Sequence, residues 1–290
     1  MSSSALVERP RVRWNGFEDW RIEMSAQLLQ GKHAVVFGAG GSVGAAAAKE
    51  FAAEGAEVFL AGRTRSSVED VAQHIRRAGG RAQAAVIDAL DDTSVNDYVN
   101  GIASQVGKID IEFNAVGPLA HEYGNTKHAT DLAIAEFMLP LTTVVKSQFI
   151  TARAAARHMV KQRSGVIIFL TGSPARGHVE GATAIGTAFG AIESLTENLA
   201  IEVSPSGVRV VCLRTTANVD SRSIQQTMDA LASKVNITKD QAIAGVASLN
   251  FLKVPASVSD TAKAAVLIAS DRARLLTGTV VNSTAGAALD

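Results

Sequence analysis

The chain has 290 residues, 47% of them hydrophobic and 19% charged, so it can bury a large core and is not predicted to be disordered. Its 28 basic and 28 acidic residues cancel. This balance removes the long-range attraction that nucleic-acid or membrane-surface binding needs, so neither partner is expected. No apolar run reaches the roughly 18 residues of a membrane span, and the N-terminus lacks a secretory pattern. We therefore expect a cytoplasmic protein.

Residues 1–30 precede the first predicted strand and are interpreted as an N-terminal extension. They hold Trp14 and Trp20, with Phe17 between them. This aromatic content predicts that the extension packs on something, either its own subunit or a neighbour. Residues 31–290 contain no Pro/Gly/Ser-rich linker and are predicted to form a single domain.

From Lys32 onward, apolar runs typical of strands alternate with helical patterns. The runs are continuous rather than alternating, which is typical of strands buried on both faces of a parallel sheet. Seven strands are predicted, at 33–37, 57–61, 82–88, 109–116, 165–170, 208–213 and 278–282, and the helices between them at 42–54, 66–78, 92–106, 131–162, 182–203 and 256–270. This order predicts an α/β fold that is Rossmann-like and doubly wound, with a mainly parallel sheet flanked by helices.

The first strand runs directly into a glycine-rich turn that opens a helix. Glycines permit a tight turn and let backbone N–H groups approach a pyrophosphate, whose charge a helix N-terminus favours. The turn therefore predicts a dinucleotide site. Its predicted cofactor-binding residues are Gly38, Gly40, Gly41, Ser42, Val43 and Gly44.

The end of the second strand indicates which dinucleotide is bound. A carboxylate there would accept the ribose 2′-OH of NAD, whereas this chain has Arg63 followed by Thr64 and Arg65. A guanidinium fork suits a 2′-phosphate and offers no acceptor to a free hydroxyl. The predicted cofactor is NADP(H).

A long insert, at about 218–254, follows the sixth strand and reads as two short helices that break at 235–237. Because open α/β sheets bind ligands beyond the carboxyl ends of their strands, the insert is interpreted as a substrate lid. The alternative is a hairpin that packs in an oligomer.

Several stretches, in this order, resemble the short-chain dehydrogenase/reductases over about residues 31–286: "GAGGSVG", "AGR", "VIDAL", "FNAVG", "ARAAARHM", "SLTENLAIEVSPSGVRVVCL" and "LTGTVVNSTAGA". The resemblance implies that Asp88 and Ala89 contact the adenine. It keeps Asn114 and Ala115 from the family's Asn-Asn-Ala-Gly element, and Ser42 replaces the middle glycine of its glycine motif. It also implies a homo-dimer or homo-tetramer.

The resemblance further implies four catalytic positions. The family's reductases use a tyrosine as general acid, a lysine one helical turn later, a preceding serine, and an asparagine on the previous long helix. The matching positions hold Ile185, Phe189, Gly172 and Val144. No tyrosine follows Tyr123, so the family's proton relay is not available in any register.

The polar residues that remain nearby each have two interpretations. Ser173 is predicted to hold a substrate oxygen or to end its strand by a local turn, and His178 to carry a proton or to be a solvated loop residue. Tyr123 and His121 are second-choice acids. Further polar side chains lie at Thr171, Arg176, Glu180, Thr183 and Thr187. No spacing indicates a metal site, and the single cysteine, Cys212, is interpreted as a core residue.

These observations predict an NADP(H)-binding oxidoreductase that acts by a non-standard mechanism on a small organic substrate. Imines, iminium ions and conjugated alkenes are favoured, because their acceptor carbon is activated without protonating a carbonyl oxygen. Two alternatives stay open. One is a non-redox enzyme of the cyclase or lyase type, and the other is a catalytically silent NADP-binding partner subunit.

Overall fold

The computed structural model describes residues 27–177 and 179–289, and its centre is one parallel sheet. The seven strands lie in the order β3-β2-β1-β4-β5-β6-β7. They are β1 His33–Phe37, β2 Glu57–Gly62, β3 Arg81–Val86, β4 Ile111–Asn114, β5 Gly165–Gly172, β6 Val208–Thr215 and β7 Thr279–Ser283. The order reverses between β1 and β4, which is where a doubly wound sheet opens its binding crevice. The predicted fold class is confirmed.

Helices cover both faces of the sheet. They are α1 Ser42–Ala53, α2 Arg65–Arg77, α3 Asp92–Val106, α4 Ile134–Pro140, α5 Lys146–Gln162, α6 Thr183–Val203, α7 Arg222–Val235, α8 Lys239–Leu249 and α9 Val258–Ala269. One apolar core lies between the sheet and α1, α2 and α9, and the other between the sheet and α3, α5 and α6. Alternate residues of each strand enter opposite cores, which explains why the strands read as unbroken apolar runs.

The helix predicted at 131–162 is interrupted. It divides into α4, a π-helical turn at Leu141–Val145, and α5. Pro140 at the end of α4 has no N–H to donate, and the Thr142 and Thr143 hydroxyls donate to the carbonyls of Met138 and Leu139. Side-chain competition for helical carbonyls widens a helix locally. Apolar periodicity alone does not contain this information.

The insert after β6 contains α7 and α8, joined at Asn236, whose left-handed φ of 55° ends α7. The first amide of α7 contacts the glycine-rich turn, because Arg222 N donates to Ser42 Oγ at 3.1 Å. Asn125 Nδ2 donates to Thr227 Oγ1 at 3.3 Å and ties α7 to the loop after β4. The insert therefore lies over the carboxyl ends of the strands. Its function as a lid stays a prediction.

A buried carboxyl group lies in the middle of the sheet. Glu112 in β4 has no exposed surface, and within the described residues neither of its oxygens has a hydrogen-bond partner. Burial raises the pKa of Glu112 from 4.5 to about 8, and the nearby Thr151 hydroxyl offsets a smaller part. The folded protein therefore keeps this proton at neutral pH.

We expect Glu112→Gln to remove a pH dependence of stability. Between pH 4.5 and about 8 the unfolded chain releases the Glu112 proton while the folded chain retains it, so the free energy of unfolding falls as the pH rises through this window. Relative to Glu112→Gln, the wild type should lose a few kcal/mol, since one pH unit corresponds to about 1.4 kcal/mol. Urea unfolding at pH 5 and pH 8 measures the difference. The exposed Glu202→Gln is the control, and equal losses in all three proteins would contradict the assignment.

Candidate active site

The glycine-rich turn leaves no room for side chains at two of its positions. Gly38 has a φ of +71°, and a Cβ there would lie 2.8 Å from the backbone carbon and oxygen of Ala115. A Cβ at Gly44 would lie 2.3 Å from the Gly38 carbonyl oxygen. No side chain caps α1, whose N-cap is Gly41, and its first turn has no acidic residue. The first amides of α1 are thus available to an anion, which is the donor set that a pyrophosphate requires.

The end of β2 borders this turn. A Cβ at Gly40 would lie 2.8 Å from Ser67 Cβ, so the turn packs directly on the first turn of α2. Arg63 and Thr64 are exposed in the connection between β2 and α2, and Arg65, also exposed, is the first residue of α2. Among the described residues, the Arg63 guanidinium has no hydrogen bond or ion pair. A cation without a partner beside a pyrophosphate cradle is suited to a second phosphate.

The remaining predicted cofactor residues mainly support the backbone. Asn114 is fully buried, where its Nδ2 donates to Thr151 Oγ1 at 2.9 Å and its Oδ1 accepts from Val116 N at 2.8 Å. It thereby shapes the loop against which Gly38 packs. Asp88 is exposed and its Oδ1 accepts from Leu90 N at 3.0 Å, whereas Ala89 is buried.

Three of the four catalytic positions that the resemblance implies hold apolar side chains. At the fourth, Gly172, the side chain of Phe189 fills the adjacent space. Val144 and Ile185 are buried in the core cluster between the sheet and α5 and α6, and the half-buried Phe189 packs against that cluster. A Cβ added at Gly172 would lie 2.9 Å from Phe189 Cε2. Positions 172 and 189 are therefore neighbours, and the aromatic ring takes the space that a serine side chain at 172 would need.

The other candidate proton donors differ in their burial and in their hydrogen bonds. The Ser173 carbonyl accepts from the amides of Arg176 and Gly177, so a local turn does end β5, while the buried Ser173 hydroxyl has no hydrogen bond to any described residue. Tyr123 is buried, and burial raises its pKa to about 12. His121 is exposed, and His178 lies outside the described residues. The polar residues Glu180, Thr183 and Thr187 are exposed.

A buried ion pair joins α6, the helix that carries positions 185 and 189, to β6. It was not predicted from the sequence. Arg214 of β6 is fully buried, and its Nε and Nη2 contact Glu193 Oε1 and Oε2 at 2.7 and 3.0 Å. Arg176 Nε also donates to Glu193 Oε2, at 3.2 Å. Glu193 follows Ile185 and Phe189 at helical spacing on α6. Two sequence signals would have indicated the pair. Glu193 is in line with the apolar face of a helix, and Arg214 occupies a core-facing position of a strand.

Cys212 is buried, as predicted. It lies two residues before Arg214 on β6, and its Sγ is 3.2 Å from Thr171 Oγ1. Burial raises the pKa of the thiol to about 12. The side chain is a packing element of the core and not a nucleophile.

The described residues contain neither a candidate metal centre nor a candidate membrane span. Among residues 27–177 and 179–289, no three His, Cys, Asp or Glu side chains are arranged to hold a metal ion. Within the same ranges, no helix has the length and apolar character needed to cross a membrane.

Comparisons with known proteins agree with this architecture. A sequence profile described as short chain dehydrogenase matches residues 32–232. The short-chain reductase protein NovJ of Streptomyces niveus is 30% identical over 259 residues, which cover 87% of this chain and 92% of NovJ. The structure of sorbitol-6-phosphate 2-dehydrogenase from Erwinia amylovora superimposes with a TM-score of 0.82 at 23% identity, covering 89% of this chain and all of that one. A 7α-hydroxysteroid dehydrogenase complexed with NADH and 7-oxo glycochenodeoxycholic acid has a TM-score of 0.76 at 25% identity, covering 91% and 97%.

We expect Gly172→Ser to destabilise the protein and Phe189→Leu to suppress that effect. The serine Cβ would meet the Phe189 ring at 2.9 Å, and overpacking of this kind costs about 1–3 kcal/mol. A shorter, non-aromatic side chain at 189 removes the contact. Unfolding free energies of the wild type, the two single variants and the double variant give the coupling energy. Additive effects would show that the two positions do not compete for space.

Proposed function

The chain belongs to the short chain dehydrogenase family, whose members are nicotinamide-dependent oxidoreductases, and we propose that it is an NADP(H)-dependent reductase whose substrates need no tyrosine acid. The observation that carries this proposal is a contrast between two ends of one crevice. The glycine cradle retains the close backbone contacts that a dinucleotide needs, while the four catalytic positions offer no polar side chain.

The fit to the dinucleotide rests on the cradle and on Arg63. The α1 amides would hold the pyrophosphate, and the Arg63 and Thr64 side chains would hold the ribose 2′-phosphate. When bound, NADPH supplies a hydride to an electrophilic carbon. The protein's own contribution is to hold the cofactor and substrate in a crevice with an apolar lining.

The substrate class follows from the missing acid. A carbonyl oxygen that gains negative charge needs a proton donor or an oxyanion site, and neither Ile185 nor Phe189 supplies one. Burial raises the pKa of Tyr123 to about 12, which makes its hydroxyl a weaker proton donor than that of an exposed tyrosine. An iminium ion already carries the positive charge that a hydride neutralises. Hydride addition to a conjugated alkene would give a delocalised enolate, which is less basic than the alkoxide formed from a simple ketone and can take its proton from solvent. We therefore propose imines, iminium ions or activated alkenes as substrates.

The residues around the crevice have supporting roles in this proposal. The Ser173 hydroxyl positions a polar atom of the substrate, and His178 carries protons to and from solvent. Helix α7, joined to the cradle through Ser42, covers the bound substrate and excludes water. We also propose that the protein is cytoplasmic and forms a homo-dimer or homo-tetramer.

Replacing Arg63 should change the preference between the two dinucleotides. Arg63→Ala removes hydrogen bonds to a charged phosphate, each worth about 1.5–3 kcal/mol, so we expect the Kd for NADPH to rise by roughly tenfold to a hundredfold. The Kd for NADH should change little, because NADH has no 2′-phosphate. Titration calorimetry measures both values. The exposed Arg77→Ala at the end of α2 is the matched control, and an equal effect on NADPH and NADH would contradict the assignment.

Reduction should be selective for activated acceptors. We expect purified protein to oxidise NADPH faster than background with a panel of cyclic imines and enones, and not with simple ketones. Measurement of the absorbance of NADPH checks both parts.

The combined variant Gly172→Ser, Ile185→Tyr and Phe189→Lys should gain ketone reduction, because it restores all but one of the implied residues and removes the ring that excludes a side chain at position 172. Tight NADPH binding without turnover on any substrate would instead support a non-redox enzyme or a silent subunit.

A further inference from the structure

A buried hydrogen-bond acceptor without a partner lies on helix α7. Gln226 Oε1 is shielded from solvent, and the Gln226 side chain makes no hydrogen bond to any residue that the structure describes. A carbonyl oxygen that has lost water without gaining a donor is unfavourable for the folded state. Such groups are rare in native folds, and one at the edge of a crevice indicates a ligand that brings the donor.

Helix α7 presents one apolar face to α8. Ile224, Met228 and Leu231 belong to this face, where they form a small core with the side chains of α8. With about 3.6 residues in each turn, Gln226 lies on the opposite side of α7. Gln226 is therefore not part of the contact between the two helices, and its buried oxygen faces another part of the molecule.

The neighbours of Gln226 on α7 contact the two walls of the crevice. One turn earlier, the Arg222 amide donates to Ser42 Oγ in the glycine cradle at 3.1 Å. The next residue, Thr227, accepts from Asn125 Nδ2 on the loop after β4 at 3.3 Å. The cradle follows β1 and the loop follows β4, and the sheet order reverses between these two strands. Gln226 therefore lies over the crevice, between the cradle and the loop after β4.

The loop after β4 is itself clamped, which fixes the position of α7. The Thr126 amide donates to the Gly181 carbonyl at 3.0 Å, and a Cβ at Gly181 would lie 2.5 Å from Thr126 Cα. Thr126 has a φ of 75°, a left-handed conformation that a β-branched residue adopts only under constraint. Because α7 is bonded to a loop held in this way, Gln226 is presented in a fixed place, as a preorganised binding group requires.

We propose that Gln226 Oε1 accepts a hydrogen bond from the nitrogen of the substrate. This inference rests on the proposed reductase function and narrows its substrate class, because only an imine in its protonated form brings an N–H donor to this acceptor. Activated alkenes and N-alkylated iminium ions bring none. The imine takes its proton from solvent, so the protein supplies an acceptor here and not an acid.

A neutral amide suits this role better than a carboxylate. The amide oxygen accepts the N–H but carries no full charge, so the positive charge of the substrate remains and its carbon stays electrophilic. A carboxylate would stabilise the bound cation more than a transition state in which the positive charge is disappearing. Gln226 therefore recognises a cation without cancelling the charge on which its reduction depends.

Binding of amines tests the proposal without turnover. Tetrahydroisoquinoline and pyrrolidine are protonated at neutral pH, and their N,N-dimethyl derivatives have the same charge but no N–H. We expect the protein saturated with NADPH, which cannot react with an amine, to bind the N–H member of at least one pair roughly tenfold to a hundredfold more tightly, since hydrogen bonds to charged groups are among the stronger ones. Gln226→Leu should reduce this preference to about twofold or less, because it removes the acceptor. Titration calorimetry measures each Kd.

The matched control makes the same change one residue away. Gln225 donates its side-chain amide to the Val219 carbonyl, so Gln225→Leu should keep the preference. Gln226→Met retains the length of the side chain without an amide and covers the case in which Gln226→Leu does not fold, as circular dichroism shows. Failure to bind any of the four compounds, equal Kd values within both pairs, or a preference that survives both substitutions at Gln226 would each overturn the proposal. Weaker NADPH binding by Gln226→Leu with an unchanged preference would overturn it too, since the acceptor would then serve the cofactor.

Activity measurements distinguish the acceptor site from the reductase function. Selective binding of the N–H amines without reduction of any acceptor would support the role of Gln226 and contradict the reductase. Reduction of imines by a protein that shows no preference for N–H would support the reductase and overturn the role of Gln226.

Discussion

The buried contact between Glu193 and Arg214 holds together the part of the structure on which the site depends. Two charges removed from water are stable only as a pair, and breaking such a pair costs about 3–5 kcal/mol. The contact therefore fixes α6 to β6 in one register, and Arg176 extends it to the loop after β5. This attachment lies one helical turn beyond Phe189, so it holds α6 on β6 through residues other than those at positions 185 and 189. This accounts for a helix that retains its length and packing without the residues it is expected to present.

The two ends of the crevice, the glycine cradle and the catalytic positions implied by the resemblance, differ in how far their residues can be replaced. At the cradle, contacts between backbone atoms leave no freedom, since a Cβ at Gly38 or Gly44 would overlap neighbouring backbone. At the other end, the positions that the resemblance implies are packed by neighbouring side chains rather than by backbone, so their shapes depend on one another. The Phe189 ring lies beside Gly172, so these two residues are complementary in shape. A crevice that keeps its cofactor cradle and closes its polar end is consistent with chemistry in which the substrate supplies its own activation.

Apolar periodicity was sufficient to predict the strands, their order of appearance and the glycine turn, because these depend on local sequence. Strand ends were less certain: β4 spans Ile111–Asn114 and is two residues shorter at each end than predicted, although Asp110 still hydrogen-bonds to its neighbours through its backbone and its carboxylate accepts from the His33 amide. Apolar periodicity did not predict the π-helical turn, the unpaired Glu112 or the Glu193–Arg214 pair, although the charges at positions 193 and 214 signal that each needs a partner. The identity of the partner of Arg214 and the lack of one for Glu112 depend on what other segments place opposite, which is a property of the packed sheet and not of any one stretch.

The burial of Cys212 determines how the protein responds to oxidants and alkylating reagents. Such reagents attack the thiolate, and a thiol with a pKa of about 12 inside the sheet offers almost none. Because the chain has one cysteine, the native state contains no reactive thiol and cannot form a mixed disulfide at its surface. A covalent label on Cys212 would thus record molecules in which the layer between β6 and α6 has opened, which makes this residue a built-in reporter of local unfolding at the site.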